Sequence, residues 1–334
     1  MSNMPDWISQ RLKKISPDEF AHRVPKSKKN ISFIQEHYSI PLASGCGKAI
    51  LIAPQNNLPP DHFEPLIIFF HGLGQDGTSS FWHWIYEFVS RGVCVLSVDW
   101  DGHGAGGSSF LDLQEATRSI PILLQRLYGE ENGSGLNEQR KGPRCFLMGY
   151  SFGASLALIA ATRGDVFKHI FGVIAVSPVL SVQSFFRAFF EIFSLLSPFS
   201  LIYDFANKFS FYRLWGFMPS YSLLKKKKSP LKMKLNINYV EQTRNFVKET
   251  FENRQILKKV KTPVLWLHGK KDSVCPYYKA CQLMLNIPSA FFSICDDERG
   301  HFRMIFSDHV TESSMNFIDN NFHYYKKDSQ KSVP

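Results

Sequence analysis

The 334-residue chain lacks the features that mark several protein classes. Its six cysteines form no CxxC pair, and its eleven histidines are scattered rather than clustered at the short spacing that a zinc site needs. The N-terminus has no basic segment followed by an apolar segment and a small-residue cleavage site. We therefore expect reduced thiols, no metal site, no cofactor and, without a secretory signal, a cytoplasmic location.

Long uncharged apolar runs are also missing. The most apolar stretch, residues 185–205, is interrupted by Arg187, Glu191 and Asp204. A helix that crosses a membrane needs about 20 consecutive residues with almost no charge. The sequence therefore predicts no transmembrane helix.

The net charge of +10 is confined to two segments. Residues 1–30 hold 7 basic and 3 acidic side chains, and residues 181–256 hold 12 basic and 5 acidic ones, while the remaining chain is close to neutral. No nucleic-acid motif accompanies the charge, so we expect no nucleic-acid binding. Peripheral contact of the two basic segments with an anionic membrane is the hypothesis that this charge distribution favours.

Short apolar runs bounded by turn residues alternate along the chain with amphipathic stretches. Runs of this kind fit strands that are buried on both faces of a parallel sheet, and the amphipathic stretches fit the helices that cover it. The predicted strands begin near residues 48, 65, 92, 144, 170, 262 and 290. This alternation predicts the α/β class.

The alternation stops near Val179 and resumes near Lys261. The segment between is rich in phenylalanine, contains an amphipathic stretch at 185–196 and carries four consecutive lysines at 225–228. We interpret it as a separate helical cap. The predicted organisation is a basic arm at 1–30, a core at 31–180 and 257–325, a cap at 181–256 and a tail at 326–334.

The strongest motif is GYSFG at 149–153, which lies between a strand-like run and a helix-like run. A serine hydroxyl is a weak nucleophile and is activated where a sharp strand-to-helix turn presents it to a base. The flanking glycines permit that turn and the close approach of the helix. Ser151 is therefore the candidate nucleophile.

A serine nucleophile needs a histidine base oriented by a carboxylate, in the chain order Ser, acid, His for this architecture. Asp272 and His301 each follow a predicted strand, at the sheet edge where open α/β sheets place their sites. Other histidines lack this combination of order and position: His103, His268 and His323. The developing oxyanion needs two backbone N–H donors, for which Phe152 and Leu73 are the candidates, while His71 stabilises the loop of Leu73.

Five segments together resemble the α/β-hydrolase fold serine hydrolases that carry a cap. They are HGLG at 71–74, DWDGHG at 99–104, GYSFG at 149–153, HGKKD at 268–272 and GH at 300–301. The resemblance implies a mostly parallel central sheet flanked by helices, with a helical cap inserted after the sixth strand. It makes Ser151 the nucleophile, His301 the base and Asp272 its orienting acid. Asp101 departs from the pattern, because many relatives have arginine there.

The phenylalanine-rich cap resembles that of monoacylglycerol-lipase-like enzymes, which implies hydrolysis of apolar or lipid-like acyl esters. Three alternatives stay open. An acyl thioesterase would use the same residues, and a proline-iminopeptidase-like aminopeptidase would need acidic cap residues to hold a free amine. A non-catalytic binding protein on the same fold is the third.

Overall fold

The computed structural model describes residues 6–16, 33–43, 45–55, 65–72, 75, 77, 81–100, 113–129, 144–181, 245, 247–250, 254–295 and 300–331. Most of the segment interpreted as a cap lies outside these ranges, as do most of the arm and the last three residues of the tail. The helical cap and its boundaries therefore stay predictions, and the lysine run at 225–228 lies outside the described residues.

Nine strands of the described residues form one sheet. They are β1 (Lys13–Lys14), β2 (Phe33–Leu42), β3 (Gly45–Pro54), β4 (Leu66–Phe70), β5 (Cys94–Asp99), β6 (Cys145–Tyr150), β7 (Ile170–Val176), β8 (Val264–Gly269) and β9 (Ala290–Cys295). The spatial order is β1-β2-β3-β5-β4-β6-β7-β8-β9. The first three strands join antiparallel, and the others pair parallel from β5 to β9.

Helices cover both faces of the sheet. They are α1 (Asp6–Arg11), α2 (Trp82–Ser90), α3 (Leu113–Tyr128), α4 (Phe152–Ala160), α5 (Gly164–Phe167), α6 (Arg254–Leu257), α7 (Tyr277–Met284), a 3-10 helix (His301–Phe306) and α8 (Asp308–Lys331). One apolar core packs α1, α3, α4 and α7 against one sheet face, and a second packs α2 and α8 against the other. This confirms the predicted α/β fold with a mostly parallel sheet.

The strand count corrects the sequence analysis, which overlooked β1 and β2. The insert follows the seventh described strand in chain order, or the sixth when the two-residue β1 is not counted. β2 carries polar residues such as Gln35 and Glu36 and is only partly buried over its first half. An antiparallel strand with one exposed face lacks the continuous apolar run that made the parallel strands recognisable.

The described part of the basic arm packs against the core through α1. Ile8 of α1 is fully buried, Leu12 is also buried, and the ring of Trp7 lies 5.3 Å from that of Tyr128 in α3. Arg11 donates a hydrogen bond of 3.1 Å to the Gly129 carbonyl. Ile8 and Leu12 thus belong to the protein interior, and membrane contact of the basic arm stays a prediction.

Within the described ranges, every helix is too short or too polar to span a bilayer. All six cysteines are free thiols, as expected, and Cys94, Cys145, Cys275 and Cys295 are buried.

The burial of Ile8 generates a stability prediction. Replacing Ile8 with alanine removes buried methyl groups and leaves a cavity, so we expect the free energy of unfolding to fall by about 2–5 kcal/mol. The exposed neighbour Gln10 provides the control, and Gln10→Ala should change the free energy by less than about 0.5 kcal/mol. Urea denaturation followed by tryptophan fluorescence measures both. Equal, small effects would show that α1 is not part of the core.

Candidate active site

Ser151 lies in a sharp turn between β6 and α4. Its backbone has φ 54° and ψ −116°, a conformation that non-glycine residues rarely adopt. The Ser151 N–H donates a 2.8 Å hydrogen bond to the carbonyl of Val176, the last residue of the neighbouring strand β7. The surrounding sheet therefore holds the strained residue in place.

Glycines on either side permit this turn. A β-carbon on Gly149 would lie closer than 3.0 Å to the backbone of Gly153 and Ala154. A β-carbon on Gly153 would lie equally close to the carbonyl oxygens of Phe70 and His71, at the end of β4. Backbone atoms cannot move aside as a flexible side chain can, so both positions require glycine.

The structure brings together the three side chains that the sequence selected. The His301 Nε2 atom lies 2.8 Å from the Ser151 Oγ, and its Nδ1 atom lies 2.8 Å from the Asp272 Oδ2. All three residues are buried, with 6%, 2% and 4% exposure for Ser151, His301 and Asp272. With Nδ1–H donated to the carboxylate, Nε2 is left as the acceptor that a general base needs.

Asp272 is held as a carboxylate although it is buried. Burial raises the pKa of Asp272, but the nearby His301 charge and hydrogen bond outweigh burial and leave this pKa below its usual value. The Cys275 backbone N–H also donates a 2.7 Å hydrogen bond to the Asp272 Oδ1. Both carboxylate oxygens thus have donors, and the charge is available to the imidazole at neutral pH.

His268 is a competing histidine that the structure places beside Asp272 rather than beside Ser151. Its Nε2–H donates a 2.7 Å hydrogen bond to the Cys275 carbonyl, and its Nδ1 accepts one of 3.4 Å from Trp266. Burial lowers the pKa of His268, so the ring is neutral at pH 7. His268 therefore stabilises the loop that carries Asp272 and is not the base.

The loop after β4 lies against the serine turn. The His71 Nδ1–H donates a 2.8 Å hydrogen bond to the Gly72 carbonyl, and the indole of Trp100 donates one of 3.1 Å to the His71 carbonyl. Phe152 is the first residue of α4, and its ring lies 5.1 Å from that of Trp100. Leu73, the other candidate donor for the oxyanion, lies outside the described residues.

Asp272, Cys275 and His301 place potential metal-ligand atoms within 4.8 Å of one another. Both nitrogens of His301 already face protein partners, and the Cys275 thiol donates a 3.2 Å hydrogen bond to the Pro178 carbonyl. The proximity of the three groups is thus explained by the serine, histidine and aspartate arrangement.

Sequence reasoning missed one contact at this site. The phenol of Tyr150 donates a 2.9 Å hydrogen bond to the backbone carbonyl of His301. The only signal in the sequence was the position of Tyr150 directly before Ser151, which does not reveal a partner 151 residues away. His103 and the side chain of His323, the remaining competing histidines, lie outside the described part of the chain.

Comparison with known protein families finds a match over most of the chain. The family model described as "Serine aminopeptidase, S33" (Hydrolase_4) matches residues 61–300. No curated protein matches the chain in sequence.

Solved structures share the fold at low sequence identity. The esterase Pf2001 of Pyrococcus furiosus is 14% identical, with a TM-score of 0.58 over 90% of this chain and 96% of that one. The α/β hydrolase GrgF of Penicillium sp. sh18 is 16% identical, with a TM-score of 0.54 over 86% and 99%. A thermophilic esterase of Thermogutta terrifontis is 14% identical, with a TM-score of 0.54 over 85% and 98%.

The tight turn predicts an unusual sensitivity to a single methyl group. Gly153→Ala forces a β-carbon against two backbone carbonyls, so we expect the free energy of unfolding to fall by about 1–3 kcal/mol. Gly164→Ala is the matched control, since its β-carbon would meet no atom within 4 Å. Urea denaturation compares the two variants. A Gly153→Ala protein as stable as the control would contradict the close approach of α4 to β4.

Proposed function

Since the chain belongs to the Hydrolase_4 (serine aminopeptidase, S33) family of α/β hydrolases, we propose that it is a serine hydrolase that cleaves carboxylic esters through an acyl-enzyme. The observation that carries this proposal is the continuous hydrogen-bonded arrangement from Ser151 through His301 to Asp272, with 2.8 Å at each step. A buried hydroxyl, imidazole and carboxylate in this order have the geometry of nucleophilic catalysis.

In the first half-reaction, the Ser151 Oγ attacks the ester carbonyl carbon while its proton passes to the His301 Nε2. Asp272 stabilises the imidazolium that forms and keeps the ring oriented. The tetrahedral intermediate then collapses, the bond to the alcohol oxygen breaks, and His301 returns the proton to that oxygen. Water repeats the sequence on the acyl-enzyme and releases the carboxylic acid.

The negative charge of the tetrahedral intermediate needs hydrogen-bond donors already in place. Phe152 is the first residue of α4. Its backbone N–H lies at the helix N-terminus, where backbone N–H groups favour an anion. We assign the second donor to Leu73, because Gly72 lies against Ser151: a β-carbon on Gly72 would be 3.3 Å from that of Ser151. Gly72, the residue directly before Leu73, therefore lies beside the nucleophile.

Apolar acyl groups are the substrate class that the sequence favours. Ten of the 30 phenylalanines fall between residues 181 and 222, in the insert that follows β7. An aromatic-rich cover above the serine would bind an acyl chain. The lysines of the insert favour an anionic surface or, for a thioester substrate, the phosphates of coenzyme A. Peripheral membrane contact of this protein is proposed through the basic arm and the insert together.

Aminopeptidase activity is the second candidate, because the matching family is described as serine aminopeptidases. Such an enzyme needs carboxylates near the site to bind the free amine of a peptide. The insert offers only five acidic side chains against twelve basic ones. We therefore rank amide hydrolysis below ester hydrolysis for this chain.

The proposed roles predict distinct losses of rate. Asp272→Asn keeps the shape of the site but favours the wrong imidazole tautomer, so we expect kcat for p-nitrophenyl butyrate to fall by about 10³–10⁴-fold. Ser151→Ala should leave no turnover through an acyl-enzyme. Stopped-flow and steady-state assays on purified variants measure both rates. Wild-type protein with no hydrolysis of any ester, thioester or peptide would favour a binding protein, and activity that survives in Ser151→Ala would reject this nucleophile.

Substrate class is tested with matched panels. We expect kcat/KM for p-nitrophenyl esters to rise from acetyl to medium or long acyl chains, because each buried CH₂ adds about 0.8 kcal/mol of apolar transfer. Acyl-CoA thioesters and aminoacyl p-nitroanilides form the other two panels, with Ser151→Ala as the blank for each. Activity confined to acetyl esters would reject the apolar acyl preference. Faster cleavage of unblocked peptides than of blocked ones would establish the aminopeptidase instead.

A further inference from the structure

Tyr150 links the turn that carries Ser151 to the segment that carries His301. Its phenol donates a 2.9 Å hydrogen bond to the His301 backbone carbonyl, and its ring lies 5.4 Å from the imidazole. We propose that Tyr150 is a positioning residue that fixes the backbone of His301 relative to Ser151 throughout the reaction. This inference deepens the proposed function and rests on it.

The tyrosine side chain is itself buried and packed against other rings. It is 1% exposed and ends β6, so its backbone belongs to the centre of the sheet. Its ring contacts those of Phe81 and Trp84 at centroid distances of 5.4 and 6.2 Å. Burial, together with the nearby charge of Asp272, raises the pKa of Tyr150 well above its usual value, so the phenol keeps its proton and remains a donor.

The hydrogen bonds of the His301 side chain change during the proposed reaction, whereas the bond from Tyr150 does not. The Nε2 atom interacts first with the Ser151 hydroxyl, then with the leaving alcohol and finally with the attacking water. In the acyl-enzyme, the Ser151 Oγ has no proton to donate to His301. A donor that binds the backbone carbonyl keeps the imidazole in place across all of these states.

Other contacts also locate this segment without involving the serine turn. The ring of His83 in α2 stacks on that of Phe306 at 5.7 Å, at the far end of the 3-10 helix. The Asp272 carboxylate orients the imidazole from the opposite side of the ring. Tyr150 directly precedes Ser151. Among the contacts described for His301, the hydrogen bond from Tyr150 therefore joins the His301 backbone to the serine turn.

Tyr150→Phe tests this assignment because it removes the hydroxyl and keeps the ring. We expect kcat for p-nitrophenyl butyrate to fall at least about tenfold, with KM changed by less than about twofold, since an interaction that positions reacting groups affects the chemical step more than binding. The control is Tyr38→Phe. Tyr38 is also buried, its hydroxyl bonds to Ser9 and Glu36, and its strand β2 is four strands away from β6.

A second readout does not depend on turnover. The imidazole N–H proton between His301 and Asp272 gives a low-field proton NMR signal, which Asp272→Asn assigns by its disappearance. We expect Tyr150→Phe to broaden this signal through faster exchange with water, and Tyr38→Phe to leave it unchanged. If the wild type cleaves no ester, the proposed function fails, while the NMR comparison still tests Tyr150.

Two results would overturn the inference. One is a Tyr150→Phe protein whose kcat and N–H signal both equal those of the wild type. The other is a loss of kcat in Tyr38→Phe as large as that in Tyr150→Phe, which would show a general effect of losing a buried tyrosine hydroxyl. Folded fractions are matched beforehand by measuring both variants well below their unfolding temperatures.

Discussion

Backbone-to-backbone contact around Ser151 is the constraint on which the rest of the site depends. Three chain segments meet there without intervening side chains: the end of β6, the start of α4 and the end of β4, in contact across Gly149 and Gly153. This contact requires glycine at both positions and holds Ser151 in a strained conformation. It also brings Gly72 against the serine, since a β-carbon on Gly72 would lie 3.3 Å from that of Ser151.

The histidine and the aspartate come from the last two strands in the sheet order, β8 and β9. Asp272 follows β8, and His301 begins the 3-10 helix after β9, so both lie at the carboxyl edge of the parallel strands. Their loops are fixed by hydrogen bonds from side chains that take no direct part in the proposed reaction. His268 stabilises the loop of Asp272, and Tyr150 binds the carbonyl of His301. Rigid support of this kind keeps reacting groups in a productive geometry.

Local patterns in the sequence predicted much of this architecture, because strands buried on both faces read as apolar runs and the serine turn has a fixed glycine spacing. The same reasoning missed β2, whose polar residues interrupt its apolar pattern. It treated the basic arm as separate from the core, because Trp7 of α1 packs against Tyr128, far along the chain. The bond from Tyr150 to His301 was invisible for the same reason. Long-range contacts of single side chains leave no periodic signal.

Chemistry and substrate choice have separate origins in this chain. Solved α/β hydrolases at 14–16% identity share its core, which shows that very different sequences support the same sheet. A shared core of this kind hosts many activities, so the reaction depends on the side chains at the strand ends. The substrate, by our proposal, is selected by the phenylalanine-rich insert that follows β7.

The most direct test of the central claim is covalent labelling of the full chain with a fluorophosphonate, followed by intact mass measurement and peptide mapping. The reagent transfers its phosphonyl group to an activated serine and releases fluoride. We expect one phosphonyl group per molecule, located on Ser151, and no labelling of a His301→Ala variant that retains Ser151. An unlabelled wild type, or a label on any other residue, would contradict the claim that Ser151 is the nucleophile.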